Sequence, residues 1–307
     1  DYFYTATKFH LPIRRQAKLS IWNHHCPMTY KRHLKKFRSL KLGLSFIIGV
    51  ASLLIIGRLF LVARASQWRG TADFSWIDQQ GDRLTVYTII PEYAKLVTWP
   101  LPGNALVTTA FGYGQYQWKN VFALGEIESQ GGVILSRTSQ NTLGLPIKGW
   151  RVNRKTNLTW WDRLRWWYSL QFTVKRRVVV DLNQNGAWQE NVLADGSPVL
   201  EPVEYRLDQV VNAETFSQQA AAESLSLSLV NGSNLSRVIS NHGIEVVAVS
   251  NQPQDPEQSV IWVKTALQKN SLTVRWLKAL IPQAEIKVGG GETPRSDLVL
   301  TIGKDYN

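Results

Sequence analysis

From Leu42 to Ala63 the chain reads LGLSFIIGVASLLIIGRLFLVA, an almost unbroken apolar run. A stretch of about 20 such residues can cross a bilayer as one helix, and this constrains everything on either side. Arg58 is the one charge inside it. It sits near the far end, where a long side chain can reach the headgroups. Lys31, Arg32, Lys35, Lys36, Arg38 and Lys41 crowd the near side, whereas only Arg64 and Arg69 follow closely. This asymmetry predicts a single-pass, type II protein of the cell membrane, its N-terminus cytoplasmic and everything from Gln67 onward outside. Two other readings compete. A secretory leader would have a shorter apolar core and a small-residue cleavage site, to which Ala63-Arg64-Ala65 has some likeness. A core helix of a soluble protein usually carries polar residues along one face.

The chain has 307 residues, enough for an anchor and one or two modest domains. Its formal charge of +12 would suit a nucleic-acid binder. The distribution argues otherwise: much of the excess precedes residue 42 and a second basic group spans Lys148 to Arg177. The C-terminal part, with Glu214, Glu223, Glu245, Asp255, Glu257, Glu285, Glu292, Asp297 and Asp305, is close to balanced. Cys26 is the one cysteine, so no intrachain disulfide can form and the exterior part depends on its core. His24, His25 and Cys26 are adjacent with no second cysteine pair, which does not make a zinc site. Met28 is the one methionine and is followed at once by the basic block. Translation is expected to begin there, with residues 1–27 an upstream extension; a cytoplasmic tail is the alternative.

Beyond the apolar run, Ser66 to Asp82 reads as a polar stalk. Arg83–Ile90 and Lys95–Trp99 form a β-hairpin around Pro-Glu-Tyr, which Pro100 and Pro102 are expected to end. Gly112, Gly114, Gly131 and Gly132 break the next stretch into loops. Val133–Leu143 has helical spacing and stops at Gly144 and Pro146. Arg176–Leu182 reads as a buried strand. Asn183–Gly186 and Asp195-Gly196 read as turns, Val203–Val211 is mixed, and Ala213–Glu223 is a helix-prone connector.

Asn157–Leu170, NLTWWDRLRWWYSL, is the most unusual soluble stretch. Thr159 and Asp162 have the spacing of an N-terminal capping pair. Trp160, Trp161, Leu164, Trp167 and Tyr168 share one broad face, with Asp162, Arg165 and Ser169 opposite. The tryptophans could pack on a sheet, lie at headgroup level on a membrane, or stack nucleic-acid bases.

From Leu225 the pattern is clearer. Leu225–Val230 alternates as a half-buried strand, and Asn231-Gly232 turns. Ser233 is an N-cap candidate for a helix on Leu235, Val238 and Ile239, stopped by Gly243. Ile244–Val249 and Val260–Val263 read as strands, Leu272–Leu280 as a helix, and Glu285–Val288 and Leu298–Ile302 as strands around Gly289-Gly290-Gly291. The order βαββαββ predicts a sheet with two helices packed on it.

This segment resembles the C-terminal domain of the LytR–CpsA–Psr group of bacterial envelope proteins. The residues carrying the likeness are Val230-Asn231-Gly232-Ser233, the helix-Gly-strand at His242–Val249 and the ending Ser296-Asp297-Leu298-Val299-Leu300-Thr301-Ile302-Gly303-Lys304-Asp305-Tyr306. Asn234-Leu235-Ser236 departs from the group's glycine-rich turn. The preceding part is similar to a reduced version of the group's catalytic domain. It shares the hairpin Leu84–Trp99 with Pro100-Leu101-Pro102, then Gly112-Tyr113-Gly114, Lys119-Asn120, Gly131-Gly132 and Leu143-Gly144-Leu145-Pro146-Ile147. The residue pattern predicts a basic cytoplasmic segment at 1–41, a transmembrane helix at 42–63, a stalk at 64–82 and a connector at 213–223; the resemblance implies a degenerate transferase-like domain at 83–212 and a LytR C-terminal-like domain at 224–307.

Enzymes of the group transfer a glycopolymer from a polyprenyl-diphosphate carrier to the wall. That requires arginines on the diphosphate and carboxylates on a divalent metal. The Arg-Asp pair expected after the hairpin proline is replaced by Gly103 and Asn104. Arg176 and Arg177 lack the aspartate and glutamine companions of the later segment. His242, at a helix end, has no nucleophile paired with it in sequence, and the 289–291 glycines have no helix behind them as a phosphate loop would.

The sequence thus predicts a mixed α/β (α+β) exterior on one anchor, acting as a binding or scaffolding protein of the cell envelope. Lys119, Arg163, Arg165 and Trp161 are the candidate ligand-binding residues; no catalytic residue, metal or cofactor is assigned. The expected partners are the lipid bilayer and wall glycopolymer, polyprenyl-phosphate lipid or another envelope protein, rather than nucleic acid. An active glycopolymer transferase and a membrane-bound regulator remain the alternatives.

Overall fold

The computed structural model describes residues 29–68, 70, 72–194, 196–253, 256–289 and 296–306, with side chains from residue 47 onward. The expectations for residues 1–28, for the Asp195-Gly196 turn and for the glycine run at 290–291 lie outside the described residues. Two units divide between Leu59 and Phe60.

Helix α1 (Thr29–Arg64) contains the apolar run and extends back through the basic block. Its window Ile47–Arg64 has a mean hydropathy of 2.1 and none of it is buried. Among the described residues it is the one helix long and apolar enough to cross a membrane. Ile47, Leu53, Leu54 and Phe60 all lie open, as side chains facing lipid would.

The second unit begins with the strands β1 (Phe74–Gln80), β2 (Arg83–Ile90) and β3 (Lys95–Leu101). A small hairpin, β4 (Leu106–Thr108) and β5 (Gln115–Gln117), leads to α2 (Val121–Glu126) and α3 (Gly131–Leu143). Then come β6 (Ile147–Val152), β7 (Lys155–Thr156), α4 (Trp160–Tyr168), a π-helical turn (Ser169–Thr173) and β8 (Arg176–Val179). The ribbon β9 (Trp188–Val192) and β10 (Pro198–Pro202) is followed by α5 (Glu204–Thr215) and α6 (Gln218–Ala222). The last seven elements are β11 (Ser226–Val230), α7 (Ser236–Asn241), β12 (Glu245–Ser250), β13 (Val260–Val263), α8 (Leu272–Leu280), β14 (Glu285–Val288) and β15 (Leu298–Thr301). Their order is the βαββαββ expected from the sequence.

The first sheet has the order β7-β6-β1-β2-β3-β8 and the second β12-β11-β15-β13-β14. Both mix parallel and antiparallel pairs. The first sheet is buried on both faces, and its period-2 alternation sorts the side chains. Ile77, Leu84, Val86, Val97 and Trp99 face the layer containing Ile134, Leu135, Leu207 and Val211. Phe74, Trp76, Tyr87, Ile89 and Leu96 face the other way, toward Leu158, Trp166, Leu170 and Val174. The second sheet buries Leu227, Leu229, Ile261 and Leu300 beneath Val238, Ile239, Val274, Leu277 and Leu280.

Several local expectations are corrected. The stretch read as a stalk contains β1, in the middle of the first sheet, because FSWIDQQ is apolar on both faces at its start. Pro100 does not end β3: the strand runs to Leu101, and past Thr98 it has outrun β8. Proline is tolerated at such an edge. Gly131 and Gly132 are the first residues of α3 rather than a loop. A Cβ on Gly132 would lie 1.9 Å from the Trp150 ring, so close packing selects glycine there. Arg176–Val179 is an exposed edge strand, with Val179 70% exposed. Val203–Val211 is largely α5. Ser233 does not cap the helix after β11: it opens a single 3-10 turn, and no side chain caps α7.

Candidate functional site

The face of the first sheet that carries Trp76 and Tyr87 holds a hollow of about 570 Å³. Trp76 and Tyr87 are register partners on β1 and β2, with ring centroids 5.2 Å apart. Trp166 of α4 meets Trp76 edge-on at 4.7 Å. Phe74 lies 6.0 Å from Trp76, and Trp68 stacks on Phe74 at 5.4 Å. Gly149 pairs with Trp76 in the parallel ladder; a Cβ there would lie 2.7 Å from that of Trp76 and 2.6 Å from Leu158. Glycine on β6 therefore lets the aromatic floor close.

Three arginines line the same hollow: Arg151, Arg154 and Arg163. Arg151 is the ladder partner of Asp78 and donates to both of its carboxylate oxygens, Nε at 2.8 Å and Nη2 at 2.5 Å. The Asp78 carboxylate raises the Arg151 pKa above its ordinary value despite the opposing effect of burial, so the guanidinium stays charged. Arg154 and Arg163 are exposed and form no ion pair with a described residue. Asp162, the only carboxylate among the described lining residues, is 2% exposed. Its oxygens accept from the Ser66 hydroxyl at 2.5 Å and from the backbone N–H groups of Gln67 at 3.3 Å and Trp68 at 3.1 Å. They also accept from the Thr159 N–H at 2.9 Å and its hydroxyl at 2.8 Å, and the Asp162 N–H donates to Thr159 Oγ1 at 3.1 Å, which completes the expected capping box. Five donors within the protein thus occupy this carboxylate. The hollow thus combines aromatic rings with guanidinium donors, groups that suit apolar and anionic parts of a ligand respectively.

The sequence-derived residues separate. Arg163 enters the hollow. Arg165 turns to the segment after α1, with its guanidinium on the Trp68 carbonyl and 5.3 Å above the Trp161 ring. Trp161 is half-buried against Trp160 at 5.3 Å. Lys119 does not line the hollow; it pairs with Asp82 at 3.1 Å, beside the hairpin end. There its N–H donates to the Gly103 carbonyl at 3.0 Å. A Cβ on Gly103 would fall 2.2 Å from the Asp82 carbonyl oxygen, so this position has no room for a side chain. Sequence reading missed Arg151, Arg154, Trp76 and Tyr87. The available signal was the Phe74, Trp76, Asp78 alternation, visible only once β1 is recognised as a strand.

The tryptophan face of α4 is also reversed from the packing reading. Trp160, Leu164, Trp167 and Tyr168 are exposed, while Asp162 is buried and Trp166 is half-buried. The polar side carries the contacts because Asp162 and Arg165 bind the backbone of residues 66–68.

A second junction joins the two sheets' layers. Arg237 of α7 binds both Asp208 oxygens through Nε at 3.1 Å and the Asn141 carbonyl at 2.9 Å. The Arg137 guanidinium lies 4.0 Å from the Tyr306 ring centroid. His242, 7% exposed, stacks on Trp276 at 4.1 Å, and its Nδ1 lies 3.2 Å from Asp73. Among the described residues no group of three His, Cys, Asp or Glu could hold a metal ion.

These features define a mixed α/β fold with a cationic, aromatic hollow, in a chain that also has one helix of membrane-crossing length. No protein-family profile and no curated protein matches the sequence. Among solved structures the chain is similar to B. subtilis TagT, at 12% identity and TM-score 0.39, over 47% of this chain and 89% of that one. It is also similar to the LytR-CPS2A-psr family protein YwtF (TagT) with bound octaprenyl pyrophosphate lipid, at 12% identity and TM-score 0.39, over 46% and 88%. A transcriptional regulator from Enterococcus faecalis is similar at 12% identity and TM-score 0.38, over 57% of this chain and 89% of that one. The group named in the second of these is the one the sequence resembles.

Proposed function

We propose that this chain is a membrane-anchored cell-envelope protein that binds a phosphate-bearing envelope ligand without transferring it. The ligand would be a polyprenyl-diphosphate lipid or a phosphate-containing wall glycopolymer. Both present an anionic group next to an apolar chain or sugar face. Arg151, Arg154 and Arg163 above Trp76 and Trp166 suit that combination, since guanidinium forks match phosphate and aromatic faces take chains or rings.

The observation carrying the non-transfer reading is Gly103. The group's enzymes, as the resemblance implies, need a charged pair after the hairpin proline. Here the first position has a carbonyl 2.2 Å from where its Cβ would be, and the second is the exposed, neutral Asn104. Lys119, the nearby cation, is paired with Asp82. A regulatory role in trans has no comparable structural support.

The test uses the full chain in lipid nanodiscs, with and without a polyprenyl diphosphate, and purified wall fragments. Binding that weakens roughly tenfold in the Arg154→Ala, Arg163→Ala double variant, as loss of charge-assisted bonds implies, supports the reading. Metal-dependent release of polyprenyl phosphate would replace it with the transferase. Binding to neither ligand would reject it in favour of a protein partner.

A further inference from the structure

Among the described residues, none covers the outward face of α4. Trp160, Leu164, Trp167, Tyr168 and the following Phe172 are between 43% and 67% exposed. Trp160, Leu164, Tyr168 and Phe172 follow one another at intervals of four, which places them along one stripe of a helix. Phe172 closes the stripe, 4.9 Å from Tyr168 and 6.3 Å from Trp167 between ring centroids. A contiguous aromatic patch of this kind marks a contact surface rather than a solvated face.

Two observations identify what covers it. The first is position along the chain. Asp162 binds Ser66, Gln67 and Trp68, and Arg165 binds the Trp68 carbonyl. Ser66 is two residues beyond Arg64, the last residue of α1. Two residues span at most about 7 Å. The inner face of α4 is therefore held within that reach of the last residue of the membrane-length helix. The second is charge. Between Arg151 and Arg177 there are eight Lys or Arg and one acid, Asp162, which is buried. Arg163 on α4, and Lys175, Arg176 and Arg177 just after the π-helical turn, are exposed. Aromatic rings flanked by cations suit an anionic headgroup layer.

We propose that α4 and its π-helical turn lie on the outer membrane surface, with Trp160, Leu164, Trp167, Tyr168 and Phe172 among anionic headgroups. The polar, inward side of the helix is thereby explained: it is the side that must hold protein. The hollow containing Arg163 and Trp167 opens beside this helix, so docking places it at the level where a membrane ligand's phosphate lies. The inference rests on α1 being a membrane anchor, as in the proposed function, but not on catalysis or on the ligand.

The test uses the full chain with Cys26→Ser, carrying an environment-sensitive fluorophore on Phe172→Cys, in nanodiscs of phosphatidylcholine and phosphatidylglycerol with doxyl lipids. Leu267→Cys, at a position 88% exposed in the second sheet's layer, is the reference. Quenching at 172 should exceed that at 267 roughly threefold, as for a group about 5–10 Å into the headgroup boundary. It should fall when phosphatidylglycerol is omitted. Equal quenching at the two sites overturns the inference, and so does shielding at 172 that depends on protein concentration and not on lipid. Retention after an alkaline carbonate wash is read separately. Loss there rejects the anchor itself, whereas retention with an unquenched probe rejects only the docking of α4.

Discussion

Asp162 accepts the backbone N–H of Trp68 at 3.1 Å although 94 positions separate them in sequence. One carboxylate thereby caps α4 and fixes the segment that follows the membrane-length helix. Asp162→Ala should remove the N3 half of the capping box, worth about 1 kcal/mol, and orphan the donors of Ser66, Gln67 and Trp68. A total loss of about 3 kcal/mol is expected. Denaturant unfolding checks the total, and faster amide exchange confined first to residues 66–68 and 160–163 checks the mechanism. Unchanged exchange at Trp68 would refute it.

Gly103 should not accept the arginine that a transferase would have. Gly103→Arg pushes a Cβ against the Asp82 carbonyl, and overpacking of this kind typically costs about 1–3 kcal/mol. The variant should melt lower and still release no polyprenyl phosphate. A stable, active Gly103→Arg protein would show that the backbone there yields.

Arg237 should couple the layers of the two sheets. It binds Asp208 of α5 and the Asn141 carbonyl of α3 from its place on α7. Arg237→Met keeps the aliphatic stem and removes the donors, with an expected loss of about 2–3 kcal/mol. Hydrogen exchange in α7 and β11 should rise before that in β1 and β2. A uniform change across both sheets would contradict this coupling.

Acid should loosen the second sheet. The N–H and hydroxyl of Ser226 hold the Asp297 carboxyl below its ordinary range, against the opposing effect of burial. Burial raises the Glu223 carboxyl, but donors on Thr273 and Leu272 outweigh it and leave it lowered. A lowered folded pKa contributes stability above the unfolded value, and that stability is lost as pH falls through the folded one. Thermal stability should therefore decline below about pH 4, near the unfolded carboxylate values. Asp297→Asn, which removes the titrating group, should flatten that decline; an unchanged acid limb would exclude Asp297 as its source.

Periodicity and punctuation were enough for much of this fold. The apolar run at 42–63, the hairpin around Pro91, the capping pair Thr159 and Asp162, and the βαββαββ order from Ser226 onward are local signals. Their residue types state their own geometry: β-branched alternation, a glycine at a helix end, a threonine three residues before an aspartate. β1 escaped because Phe74–Gln80 is short and ends in polar residues, so only its two-sided burial identifies it. Which face of α4 packs was likewise undetermined by spacing. Trp160, Leu164 and Tyr168 could have faced a sheet; what turned them outward is a long-range bond, from Asp162 to a backbone 94 residues away. Arg151 and Asp78 meet for the same reason, because parallel pairing of β6 with β1 brings distant strands into register. The sequence by itself determined the membrane-length helix, the hairpin around Pro91 and the βαββαββ order. Only the tertiary structure decided which arginines share a hollow and which aromatic face is left exposed among the described residues, because pairings between distant segments leave no periodic trace in the chain.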